Sequence, residues 1–160
     1  MTSRIHFDIA CATDPGTVRS FNEDSIAIER DHELLILADG MGGYKAGDVA
    51  SSLATGLVLD EIKRKLSDQA VLPLRQVGQL TEWSKVVQTA IEKTNRFIHK
   101  TAQSDEKYRG MGTTIVLILF QRGWATVAHV GDSRLYRLRN GELELLTHDH
   151  SLLQEQVELG

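Results

Sequence analysis

Residues 113–146 read TTIVLILFQRGWATVAHVGDSRLYRLRNGELELL. Thr113 to Phe120 is apolar and β-branched, Arg122-Gly123 supplies a turn, and Trp124 to Val130 runs back. That pattern predicts an antiparallel pair of strands. A second pair follows, Arg134 to Arg139 and Glu142 to Leu146, around Asn140-Gly141. Asn-Gly suits a type I′ turn because both central residues must accept positive φ. Working back toward the N-terminus, Trp83, Val86, Val87, Ala90, Ile91, Phe97 and Ile98 recur at helical spacing, and so do Val49, Ala50, Leu53, Ala54, Leu57, Ile62 and Leu66. Both patterns predict amphipathic helices whose stripes face a core. Before them, Ser25 to Arg30 alternates through Ile26 and Ile28, and Leu34 to Ala38 is an unbroken apolar run, so a hairpin with a buried second strand is expected. Ile5, Phe7, Ile9 and Cys11 alternate as one more strand, with Cys11 in the core, closed by the turn Asp14-Pro15-Gly16. Short links between strands favour antiparallel pairing. The expected fold is therefore α+β, with antiparallel sheets and helices packed outside.

The chain has 160 residues, 41% apolar and 25% charged, with 18 Lys+Arg against 22 Asp+Glu and a formal net charge of −4. This is the composition of one globular domain. No stretch approaches the roughly 20 consecutive apolar residues of a membrane span, and no clustered basic surface suits nucleic acid. Neither a membrane nor nucleic acid is an expected partner. The single Cys11 cannot form an internal disulfide, and the start MTSRIHFDIA lacks a secretory signal, so a cytoplasmic protein is expected.

Carboxylates gather where the expected strands begin and end: Glu23-Asp24, Asp39 and Asp132. Strand ends on one rim let oxygen ligands converge on a hard cation. Asp39 precedes Gly40-Met41-Gly42-Gly43, where missing Cβ atoms would let the backbone turn sharply and aim a carbonyl at the same ion. Other chemistries fit less well. The segment GMGGYKAG matches neither GxxxxGK[ST] nor GxGxxG, and no GxSxG is present. Cys11 has no phosphate-cradling loop with an arginine after it. His148-x-His150 could chelate a metal but lacks a third ligand at recognisable spacing, and a capping role near Ser151 is preferred.

Five motifs follow one another in a specific order: Arg19-Ser-Phe-Asn-Glu23-Asp24, Asp39-Gly-Met-Gly-Gly43, Gly112-Thr113-Thr114, Val130-Gly-Asp132-Ser-Arg134-x-Tyr136 and Leu146-Thr-x-Asp149-His150-Ser151. Together they resemble the bacterial branch of the metal-dependent PP2C-type protein serine/threonine phosphatases, from about Ile9 to the last residue. The resemblance implies two packed antiparallel sheets flanked by helices, an αββα sandwich of which residues 1–160 would be the N-terminal larger part, C-terminally incomplete. It also implies hydrolysis of phosphoserine and phosphothreonine in proteins, by direct attack of a hydroxide bridging two metal ions. Carried over by position, Asp39 would bridge two Mn²⁺ or Mg²⁺ ions, with Glu23 and the Gly40 carbonyl on one of them. Asp24 would hold metal-bound water, Asp132 would serve a third, weaker ion, and Arg19 would grip the substrate phosphate. The expected partners are phosphoproteins and a bacterial serine/threonine kinase that the phosphatase opposes.

Two departures accompany the resemblance. Met41 stands where many eukaryotic members carry a histidine proposed as general acid. The family's Ser-Asp-Gly and Gly-x-x-Asp-Asn motifs do not occur in residues 1–160. Two divalent ions bring four positive charges, of which Glu23 and Asp39 neutralise two. The chain is therefore expected to be a fragment of a longer phosphatase, weakly active or inactive alone. The alternative is a catalytically silent module that binds phosphoproteins.

Overall fold

The computed structural model describes residues 6–31, 33–42, 46–68, 81–121 and 123–151. The elements are β1 (Asp24–Glu29), β2 (Leu34–Met41), α1 (Ala46–Ser67), α2 (Glu82–Ser104), a short 3₁₀ turn (Glu106–Tyr108), β3 (Gly112–Thr113), β4 (Ile115–Gln121), β5 (Trp124–Val130), β6 (Tyr136–Arg139) and β7 (Glu142–Leu145). β1, β2, β4 and β5 form one sheet in that order, with β3 paired to the end of β2. All its pairings are antiparallel. β6 and β7 form a separate two-stranded sheet. The fold is thus α+β, with two long helices and two antiparallel sheets among the described residues.

Both helices lie where periodicity puts them, but α1 centres its buried stripe on the small residues of the expected one. Ala46, Ala50, Ala54, Val58 and Ile62 face inward, along with Ser51 and Thr55, while Leu53, Leu57 and Leu66 are only partly covered. Small side chains let the helix axis approach β2 and β1 closely. Thr55 turns its hydroxyl to the Ser25 hydroxyl at 2.8 Å, so the polar groups at this tight contact are satisfied. α2 buries Trp83, Val87, Ala90, Thr94 and Ile98, whereas Phe97 is 49% exposed. A capping box starts it: Ser84 N–H donates to Thr81 Oγ1 at 3.1 Å, and Thr81 N–H donates to Ser84 Oγ at 3.2 Å.

The apolar run of β2 is buried on one face only. Leu34, Ile36 and Ala38 are enclosed beneath the helices, but Leu37 on the opposite face is 37% exposed. That opposite face continues through Ile26, Ile28, Leu35, Val116 and Ile118, which line a cavity of about 360 Å³ with Ala10, Cys11 and Arg134 at its margin. The expected N-terminal strand is not formed: residues 6–15 lie along the sheet without entering its ladder, and Cys11 is exposed rather than in the core. Phe7 reaches Phe120, with ring centroids 4.7 Å apart, so the segment is anchored by a side chain and not by strand pairing. Ile5 and the residues after Ser151 lie outside the described residues. The Asn140-Gly141 turn is as expected, with φ of 54° and 82°.

Candidate metal and phosphate site

Asp24 and Asp39 stand opposite each other in the β1–β2 register, at the end of the ladder. Asp24 is set there by an Asx turn, its N–H donating to Asn22 Oδ1 at 3.0 Å, while Asn22 Nδ2 donates to Thr13 Oγ1 at 2.7 Å. Asp39 is tied to β3 and β4: its N–H donates to Thr114 Oγ1 at 2.9 Å, and its carbonyl accepts from Thr114 N–H at 2.9 Å and Thr113 Oγ1 at 3.0 Å. The break in the ladder at Thr114, between β3 and β4, thus serves the backbone of Asp39.

Thr114 also reaches the third acidic segment. Its hydroxyl lies 2.7 Å from Ser133 Oγ, and its methyl packs where a Cβ on Gly131 would lie 2.7 Å from it. Gly131 has φ of 99°, a conformation that suits glycine, so the loop after β5 can fold against Thr114 and present Asp132 beside Asp39. Residues 147–150 brace that loop from outside. His150 N–H donates to the Gly131 carbonyl at 3.0 Å, and Arg134 holds Asp149 through Nε at 3.0 Å and Nη2 at 2.7 Å. Arg134 pulls the Asp149 carboxyl below its ordinary pKa.

Glu23 approaches from the loop before β1. Its carbonyl accepts from Gly40 N–H at 3.0 Å, and its carboxylate lies against Gly47 in the first turn of α1. Gly40 was expected to open a sharp turn. It instead belongs to β2, paired with Thr113, and needs to be glycine because a Cβ would overlap the Gly47 carbonyl oxygen. Close approach, not turning, is what this glycine provides. Gly43 lies outside the described residues.

The electrostatics show which groups meet. The Asp39 carboxyl is raised above its ordinary pKa, first by partial desolvation, then by the charges of Asp24 and Asp132 and a hydrogen bond with Asp24, with Arg19 opposing. Arg19, Asp24, Asp39 and Asp132 therefore share one neighbourhood. All the donors are oxygens, which fits a hard divalent cation such as Mn²⁺ or Mg²⁺. Among the described residues no three His, Cys, Asp or Glu side chains close tightly enough to hold an ion unaided. His148 and His150 make no such group. The His148 carbonyl lies 2.7 Å from His129 Nε2, and the His129 and His150 rings lie 4.7 Å apart. The segment beyond Ser151 that they were expected to cap lies outside the described residues.

Three residues that support the site were not picked out individually from the sequence: Thr114, Ser133 and Gly47. The first two lie inside recognised motifs, so their presence was legible and their contacts were not. For Gly47 the available signal was a glycine, a poor helix former, placed just inside the start of a helix.

A strand-end cluster of carboxylates with one arginine, on a sheet backed by two helices, defines a candidate oxygen-donor metal and phosphate site. Residues 17–156 match the family model described as Protein phosphatase 2C, and the chain belongs to that family. It is 37% identical over 151 residues to serine/threonine phosphatase stp of Listeria welshimeri, covering 92% of this chain and 56% of that protein. The crystal structure of the Mycobacterium tuberculosis serine/threonine phosphatase PstP/Ppp superposes with a TM-score of 0.72 at 37% identity, over 92% of this chain and 56% of that one. The catalytic domain of PstP solved with two manganese ions gives 0.71 at 37% identity, over 92% and 57%. The chain spans little more than half the length of these relatives.

Proposed function

We propose that this chain is the N-terminal larger part of a single metal-dependent phosphatase domain that hydrolyses phosphoserine and phosphothreonine in proteins. The carrying observation is the convergence of Asp24, Asp132 and Arg19 on Asp39. A carboxyl at Asp39 whose ionisation is opposed by burial and by two neighbouring carboxylates is relieved by a cation, and the adjacent guanidinium offers a planar fork for a phosphate. The manganese-bound PstP domain supports the choice of Mn²⁺ or Mg²⁺.

In this reading Glu23, Asp39 and the Gly40 carbonyl hold the primary pair of ions, and Asp132 holds a third. When bound, the metals supply Lewis acidity toward phosphate and a nucleophilic water at neutral pH. Asp24 orients water beside Asp39 through its remaining acceptor capacity. Arg19 captures the phosphate and keeps phosphorus in line for attack. Met41 has no titratable group, so protonation of the leaving oxygen falls to water. Among the described residues no helix is long and apolar enough to cross a membrane, and we place the protein in the cytoplasm, opposing a serine/threonine kinase.

The test is release of phosphate from phosphoserine and phosphothreonine peptides by this chain and by the chain extended with the segment its relatives carry beyond the match. Turnover by the extended protein that needs Mn²⁺ or Mg²⁺ is expected, with little from the 160 residues alone. Full activity in chelator would overturn the metal reading. Tight phosphopeptide binding without turnover in the extended protein would establish the silent module instead.

A further inference from the structure

Gly47 is the residue on which Glu23 and Gly40 both close. A Cβ built there would lie 2.7 Å from Glu23 Oε1, 2.9 Å from Glu23 Cδ and 2.9 Å from the Gly40 carbonyl carbon. Real Cβ atoms do not come that near, so any side chain at 47 must displace a carboxylate, a backbone carbonyl, or both. In the other direction, a Cβ on Gly40 would lie 2.7 Å from the Glu23 carbonyl oxygen and would overlap that of Gly47. The two glycines and Glu23 form a three-way contact with no room for one more carbon.

Helix propensity does not account for a glycine here. It sits in the first turn of α1, and glycine is among the poorest helix formers, so the helix itself gives no reason to choose it. Gly56, further along the same helix, has nothing within 4 Å of a built Cβ. The two positions therefore separate a glycine required by contact from one that is not. Gly47 is buried under β2 and gives no group to a ligand, so its part is steric.

We propose that Gly47 is a positioning residue: by lacking a Cβ it fixes how far the first turn of α1 stands from Glu23 and Gly40, and so sets the separation of the Glu23 carboxylate from the Gly40 carbonyl. This rests on the reading above that these two groups hold one metal ion. A shift of a few tenths of an ångström matters because Mg²⁺ and Mn²⁺ demand oxygen distances close to their preferred values. The proposal also makes α1 part of the site, although none of its side chains is a ligand.

The experiment takes as parent the protein extended with the segment its relatives carry beyond the match and compares it with its Gly47→Ala and Gly56→Ala variants, following Mn²⁺ binding by electron paramagnetic resonance and thermal unfolding in chelator. Gly56→Ala should bind Mn²⁺ as the parent does and melt no lower. Gly47→Ala should bind Mn²⁺ roughly tenfold or more weakly, a loss of the size seen when groups supporting metal ligands are removed, with helix content by circular dichroism unchanged. A parent that binds no Mn²⁺ would defeat the metal reading itself. A parent that binds and a folded Gly47→Ala that binds equally well would defeat only the present inference. Unfolding in chelator needs no metal and tests the contact directly. Because Glu23→Ala removes the overlapping carboxylate, Gly47→Ala should lower Tm less in that background than in the parent, and should regain folding there if it fails to fold alone. Equal losses in both backgrounds, or no recovery of folding, would overturn it.

Discussion

Asp39 meets opposing requirements. Asp24 faces it across the β1–β2 ladder and Asp132 approaches from the loop after β5, so its ionised form is disfavoured without a cation. A carboxyl whose pKa is raised on folding makes the native state bind more protons than the unfolded chain, so its contribution to stability falls as pH rises from 3.8 through the raised value. Asp39→Asn removes that penalty. In chelator at neutral pH the variant should melt above the parent, while its Mn²⁺ affinity drops by more than the roughly 10–100-fold typical of losing a partner of a metal ligand. A variant that keeps parental Mn²⁺ affinity would remove Asp39 from the metal assignment. Arg19→Ala separates the other half of the site. In the extended protein it should raise KM for phosphopeptides with Mn²⁺ affinity unchanged, since the guanidinium is assigned to substrate, and loss of Mn²⁺ binding would make Arg19 a structural support instead.

At the scale of elements, most of the fold was legible because its signals are local. The period of 3.6 over residues 82–104, the alternation in 24–29 and the Asn140-Gly141 turn each report their own backbone. What the sequence hid is what depends on neighbours. Which stripe of α1 turns inward is decided by how near the helix lies to β2, and that favours Ala50 and Ala54 over Leu53 and Leu57. Whether residues 6–11 join a ladder depends on a free partner edge, which their own alternation cannot supply. Likewise the site's acids were legible as letters, whereas the Thr114 hydroxyl linking Asp39 to Ser133 spans separations of 75 and 19 residues. Two elements invite measurement. Thr81→Ala breaks the capping box of α2 and should cost about 1 kcal/mol in a denaturant titration. The Arg134 pairing with Asp149 contributes stability present above the unfolded pKa and lost as pH falls through the lowered one, so acid should release residues 147–150 from the Asp132 loop. Amide exchange at Gly131 and His150 that stays slow through that range would show the brace to be held by other contacts.

For the whole molecule the decisive feature is where apolar surface remains uncovered. The five-stranded sheet buries one face under α1 and α2, while on the other face Ile26, Ile28 and Leu35 are only half-buried and Leu37 is exposed. The β6–β7 hairpin repeats the problem: Arg137 pairs with Glu144 on one face, but on the other Leu138 and Leu143, opposite each other in register, are 70% and 67% exposed. Paired leucines at that exposure on a strand ladder form an adhesive face for a second sheet, and contiguous apolar patches are seldom left open on monomeric proteins. The isolated chain should therefore self-associate at micromolar concentration in sedimentation velocity. Leu138→Lys with Leu143→Lys should move it toward monomer without lowering helix content, because neither side chain belongs to the core beneath the helices. Supplying in trans the segment that the relatives carry beyond the match should compete with self-association and raise Tm, as any ligand of the native state does. A wild-type chain that sediments as a monomer and melts cooperatively, unchanged by that segment, would mean that residues 1–160 close their own surface.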